Sequence, residues 1–268
     1  MTKSLERRLS DAKADLIAID AALVRGAAQL PGTIQTQIQA VSACASDIDH
    51  WITLAHAREA ARRMLDDLEG AADTDDQVPF GSVRVKFQHA RLIGVQAYLA
   101  ASWALADRIA GMAGRVLCTP QAGSNPIKPP QLNAPFLNAD RTKQVAASIF
   151  DSVPRIFGWP IGISYALRNH FIHDGGQLAG ANFFHGFNAS SRFKISDQGW
   201  ANLEEKAQTY SVLPVNQRIP AGWPPALQDD LRVLLDVCET QMDDALGVLA
   251  GTATKTLRSH VAFLIGED

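Results

Sequence analysis

Apolar residues recur along this chain at helical spacing, and that pattern limits its fold more than any other feature. Leu5, Leu9, Ala12, Leu16, Ile19 and Leu23 alternate steps of four and three, the seam of a heptad-patterned helix. Pro31-Gly32 breaks that helix. A second seam follows at Ile34, Ile38, Val41, Ala45, Ile48, Ile52 and Ala55, and predicts a helix running to about Glu69. Together they read as a long αα-hairpin. Its seam either packs against the rest of the domain or serves as a dimerisation or partner-binding arm. About three heptads per seam is short for an extended coiled coil.

The remaining chain continues in the same manner. Residues 70–81 are acidic and turn-rich and read as a loop. Residues 83–117 read as one mostly apolar helix, slimmed by alanines, with Trp103 in its core. Thr119 to Asn138 holds five prolines and reads as a connector. Further helices are expected over Asp140–Ile156, from about Pro160 to the Gly175-Gly176 pair, over Ser196–Tyr210 with Ser196 as N-cap, over 226–250, and over Thr252–Ile265. Residues 177–195 are irregular, and Leu213 to Pro225 is a second Pro-rich loop. The fold class is therefore all-α: a helical bundle with a long N-terminal αα-hairpin and Pro-rich connectors. The expected division is a hairpin over 1–75 and a helical core over 76–268, or one continuous domain over 1–268.

Composition narrows the function. A net charge of −3 excludes a strongly basic coat, so any nucleic-acid site must be a local patch. Cys44, Cys118 and Cys238 are isolated and odd in number, as expected of reduced thiols in a cytoplasmic protein. The N-terminal residues are charged, with no apolar core of a signal peptide. The most apolar run, Leu92 to Ala106, contains Gln96, stops at Asp107-Arg108, and is too short for a membrane span. No membrane partner is expected. Neither a Walker or Rossmann glycine motif nor a cysteine-based zinc pattern is present.

One stretch concentrates the chemistry: Tyr165-Ala166-Leu167-Arg168-Asn169-His170-Phe171-Ile172-His173-Asp174-Gly175-Gly176. Read as an α-helix, residues advance about 100° each. Ile163, Leu167 and Phe171 then share an apolar face directed at the core. Asn169 and His173 share a roughly opposite face. Arg168 is offset from His173 by about 140°. The glycine pair ends the helix, which leaves His173 in its last turn, where a helix C-terminus favours imidazolium.

The pattern Arg168-Asn169-x-x-x-His173 resembles the signature of the HEPN superfamily, whose ribonuclease members carry Arg, a polar residue and His at this spacing. The resemblance covers about six positions. It implies metal-independent RNA cleavage with Arg168, Asn169 and His173 as catalytic residues. RNA carries its own nucleophile, the 2′-hydroxyl, so the protein must move protons and stabilise charge on the phosphate. His173 can do the first near neutral pH, and Arg168 can make paired bonds to phosphoryl oxygens. Asn169 can orient either group. Candidate substrate-binding residues are His170 and Asp174 in the stretch, with Arg192 and Lys194 downstream. No cofactor or metal is required.

The resemblance further implies a homodimer in which Arg168 of one protomer serves beside His173 of the other, and a toxin or antiviral setting with an antitoxin or regulatory partner. Where one toxin group carries a modifiable Tyr two residues after the His, this chain has Gly175, which argues against that kind of antitoxin. Two other readings compete. His170, His173, Asp174 and His185 are the ingredients of a metal site, although His170 lies beside Ile163 on the helical wheel and not with His173. Alternatively the chain is a non-catalytic interaction module that binds through its N-terminal hairpin.

Overall fold

The computed structural model describes residues 5–26, 32–71, 77–117, 159–173, 193–210 and 225–265. Of these, 87% are helical, and the fold is all-α with one small two-stranded sheet. The elements are α1 (Leu5–Gly26), α2 (Gly32–Ala71), β1 (Gln77–Phe80), β2 (Val83–Lys86), α3 (Phe87–Leu117) and α4 (Trp159–Arg168). A π turn (Asn169–His173) follows, then α5 (Asp197–Tyr210), α6 (Pro225–Asp229) and α7 (Leu231–Ile265). The helix expected over Asp140–Ile156 and both Pro-rich connectors lie outside the described residues. No helix among the described residues is long and apolar enough to cross a membrane.

Packing divides the chain into two compact units. One comprises residues 1–55, 105–154 and 243–268, the other 56–104 and 155–242. In the first unit, the predicted seam residues Leu5, Leu9 and Ala12 of α1 are buried, as are Trp51 and Ala55 of α2. Lys13 pairs with Asp49 and so ties α1 to α2. Arg8 reaches Asp244 of α7 at 2.9 Å, its side chain lying across Gly247, where any Cβ would collide with it.

The second unit holds the larger core. Leu65 and Leu68 of α2 meet Phe87, Val95 and Leu99 of α3, Ile163, Leu167 and Phe171 of the α4 segment, and Leu231, Leu234 and Leu235 of α7. At the edge of this core, Glu239 of α7 accepts a hydrogen bond from the Tyr98 hydroxyl (2.8 Å) and faces Arg58 of α2 (3.4 Å). One helical turn along, Arg62 meets Asp236 at 2.7 Å. Burial pushes the Tyr98 phenol well above its ordinary pKa, and the charge of Glu239 adds to the effect.

Three expectations about elements are corrected here. Residues 77–86 form a hairpin, where a loop and the start of a helix were expected, and α3 begins at Phe87. The strands Gln77–Phe80 and Val83–Lys86 alternate around a two-residue turn, Gly81-Ser82. Gly81 takes φ +61°, the left-handed region that a two-residue hairpin turn requires at its first position and that glycine enters without strain. Next, the helix expected over 226–250 is divided at Asp230. The Asp230 carboxylate accepts from the Arg232 backbone N–H at 2.8 Å and so starts α7 as a cap. Finally, α7 continues unbroken to Ile265, where a separate terminal helix was expected. Ser196 caps α5 as predicted, its Oγ accepting from Gly199 N–H at 3.0 Å.

Candidate functional site

The site is built on α4. Pro160 stands in the first turn, where a missing N–H costs nothing and the fixed φ already suits a helix. Ile163, Ala166 and Leu167 are wholly buried, so the predicted apolar face is the core face. Ser164 is also buried and accepts a hydrogen bond from the Trp103 indole N–H at 3.1 Å. Tyr165 sets its ring edge-on to Trp103, with centroids 5.0 Å apart. Trp103 thus anchors α4 to α3 twice, by one hydrogen bond and one ring contact. On another side, α4 packs against α5.

After Arg168 the helix widens. Asn169–His173 form a π turn in place of the expected α-helical end. A turn that closes from residue i to i+5 brings the backbone of residue 173 round beneath that of residue 168. The offset of about 140° expected between them belongs to α geometry and does not apply here. Phe171 is nonetheless fully buried, so the turn stays fastened to the core at its centre. Its carbonyl accepts a hydrogen bond from the Gln96 side-chain amide of α3 at 2.7 Å.

Arg168 and Asn169 lie at the start of this turn, each half-buried. The guanidinium stands 5.7 Å from the Tyr165 ring centroid and donates to Asn169 Oδ1 at 3.3 Å. Among the described residues no carboxylate pairs with it. Four other partly or fully buried arginines contrast with this: Arg8, Arg58, Arg62 and Arg232 each face an aspartate or glutamate. Arg91, 2% exposed, lies instead over the Phe87 ring, 5.7 Å from its centroid. A guanidinium carries five donors in a planar fork, and a single bond to Asn169 leaves most of them for an anion.

His173 is the last residue of the π turn. His170 was expected to touch substrate, but it is only 3% exposed and packs edge-on against Phe171, with centroids 5.2 Å apart. Its position three residues after Leu167 puts it on the core side, so it belongs to the interior. Lys194 is engaged by Asp229 at 2.9 Å, between buried Phe193 and Ile195. Asp174, Arg192 and His185 lie outside the described residues.

Two contributors were not singled out from the sequence as parts of the site. Gln96 was legible only as the polar interruption of an apolar run. Tyr165 precedes Arg168 by three, the spacing at which helical side chains meet. No protein-family model matches this chain, and comparison with curated proteins and with solved structures finds no significant relative.

Proposed function

We propose that this protein is a metal-independent endoribonuclease of HEPN type, in which Arg168 holds a phosphate of the RNA backbone. Arg168, half-buried on a helix anchored to the core on either side of it and with no carboxylate partner among the described residues, is the observation that carries this reading. A buried or half-buried cation is ordinarily paired, and a guanidinium with no anion beside it among the described residues is suited to one from outside. Asn169 keeps the fork oriented. His173 moves the protons: it takes one from the attacking 2′-hydroxyl or gives one to the leaving oxygen. The product of that step is a 2′,3′-cyclic phosphate.

The reading includes the setting that the resemblance implies. It has a second copy of the chain at the site, a toxin or antiviral role in the cytoplasm, and an antitoxin or regulatory partner that restrains it. The π turn removes the geometric reason for a second copy, because residues 168 and 173 no longer diverge as they would in an α-helix. The homodimer thus rests on the resemblance alone.

The test is incubation of the purified chain with total RNA and excess EDTA, beside Arg168→Ala and His173→Ala. Chelator-resistant cleavage is expected. Arg168→Ala should lower the rate by about 10²–10³, as for loss of one charge-stabilising donor. His173→Ala should lower it by about 10²–10⁴, as for loss of a proton-transfer group. Cleavage abolished by EDTA, or left intact in both variants, would overturn the proposal. RNA retention without cleavage would instead favour a non-catalytic binding module.

A further inference from the structure

The turn that carries Asn169 and His173 is held from a different helix. Gln96 sits in the run Leu92–Ala106, where every close neighbour is apolar. Val95 and Leu99 beside it are wholly buried, while Ala97 is exposed, so Gln96 stands at the border of the core face. An amide in such a place is costly unless its hydrogen bonds are made. It makes one at 2.7 Å, to the carbonyl oxygen of Phe171, 75 residues away in sequence.

Phe171 is the middle residue of the π turn. Its ring is in the core and its carbonyl is on Gln96, so both its side chain and its main chain are pinned. Asn169 precedes it by two residues and His173 follows it by two. Carbonyls near a helix end lack the donors that a continuing helix would supply, and they need partners from elsewhere. An isolated π turn is also an uncommon geometry and persists only where its surroundings hold it.

We propose that Gln96 is a positioning residue: its amide fixes the π turn through Phe171 and so sets where Asn169 and His173 are presented. The part of this that concerns catalysis rests on the ribonuclease reading. The part that concerns the turn does not.

Three full-length proteins separate the two parts: wild type, Gln96→Leu and Gln96→Glu. Amide hydrogen exchange of residues 169–173 reads the turn, and RNA cleavage reads its consequence. Gln96→Leu removes the donor at similar volume and should speed exchange in 169–173 about fivefold, the population change that a hydrogen bond of ordinary net strength carries. Gln96→Glu sets two acceptors face to face at neutral pH and should do the same or more. On acidification its protonated carboxyl donates as the amide does, so exchange relative to wild type should return toward one. Wild type measured at each pH removes any contribution of His170 and His173, the titratable groups on the same turn. A merely structural loss of packing would not reverse with pH. Where wild type cleaves RNA, both variants should lower kcat at unchanged KM, with Gln96→Glu recovering in acid. Unaltered exchange at 169–173 in both variants, or acceleration in Gln96→Glu that acid does not reverse, would overturn the proposal. If wild type cleaves no RNA, the ribonuclease reading fails alone, and the exchange measurement still decides the role of Gln96.

Discussion

Replacing Gly94 with alanine sets two effects of similar size against each other, and the structure decides the sign. Gly94 lies inside α3, where alanine is favoured over glycine by about 1 kcal/mol on helix propensity. A Cβ built there would stand 2.7 Å from Leu65 Cδ2, 2.7 Å from Met64 Cε and 3.1 Å from Leu65 Cγ. Met64 is half-buried, and its thioether arm can move aside. Leu65 is wholly enclosed and can yield only by displacing its neighbours. Overpacking of this kind costs about 1–3 kcal/mol. The net expectation is destabilisation by about 1 kcal/mol, with about 2 as the upper end. Gly251 of α7 is the control, because a Cβ there meets nothing within 4 Å. The same substitution at Gly251 should gain the full propensity term, about 1 kcal/mol. Urea titration followed by far-UV circular dichroism measures both, and equal m-values in the three proteins justify comparing midpoints. The midpoint should fall for Gly94→Ala and rise for Gly251→Ala. A Gly94→Ala protein more stable than wild type would refute the close approach of α2 to α3. That approach also matters to the site, since Gly94 precedes Gln96 by two residues.

Other outcomes follow from the same core. Phe171→Ala should cost about 3–5 kcal/mol in a urea titration, because the ring is wholly buried and its removal leaves a cavity at the centre of the π turn. Glu239→Gln withdraws the charge that faces Arg58, whose side chain is 6% exposed, and should destabilise by about 3 kcal/mol. That is the low end for a buried pair, because Glu239 keeps 28% exposure. The Tyr98 phenol is raised above its ordinary pKa, so the folded state favours the protonated hydroxyl. Its contribution to stability is complete below about pH 10 and is lost as pH rises above that value. Phenolate absorbance at alkaline pH should therefore show Tyr98 ionising later than a free tyrosine, and Tyr98→Phe should flatten this part of the alkaline stability curve.

Much of the fold was legible in residue spacing because helices bury one stripe. Leu5, Leu9 and Ala12 marked the core face of α1, and Ile163, Leu167 and Phe171 that of α4 and its π turn, and all six are buried. The cap at Ser196 was legible because its hydroxyl acts locally. The hairpin at 77–86 was not. Four-residue strands carry little periodicity, and the acidic loop composition upstream masked the Val83-Arg84-Val85 alternation. Arg168 and Asn169 were picked out by residue type, but the geometry between Arg168 and His173 was read on α-helical arithmetic. Nothing in Asn169-His170-Phe171-Ile172-His173 announces a wider turn. What holds it comes from Gln96, and a contact across 75 residues leaves no local signal beyond one polar letter in an apolar run.

A π turn is an α turn with a residue to spare, so what the segment Asn169–His173 encodes is a length. Deleting one residue within it would let the helix close in the ordinary way, with a tighter ladder, and would swing the outgoing chain by about 100°. Exchanging one side chain for another leaves the count intact. In this segment an insertion or deletion is therefore a change of direction, which no substitution by itself is.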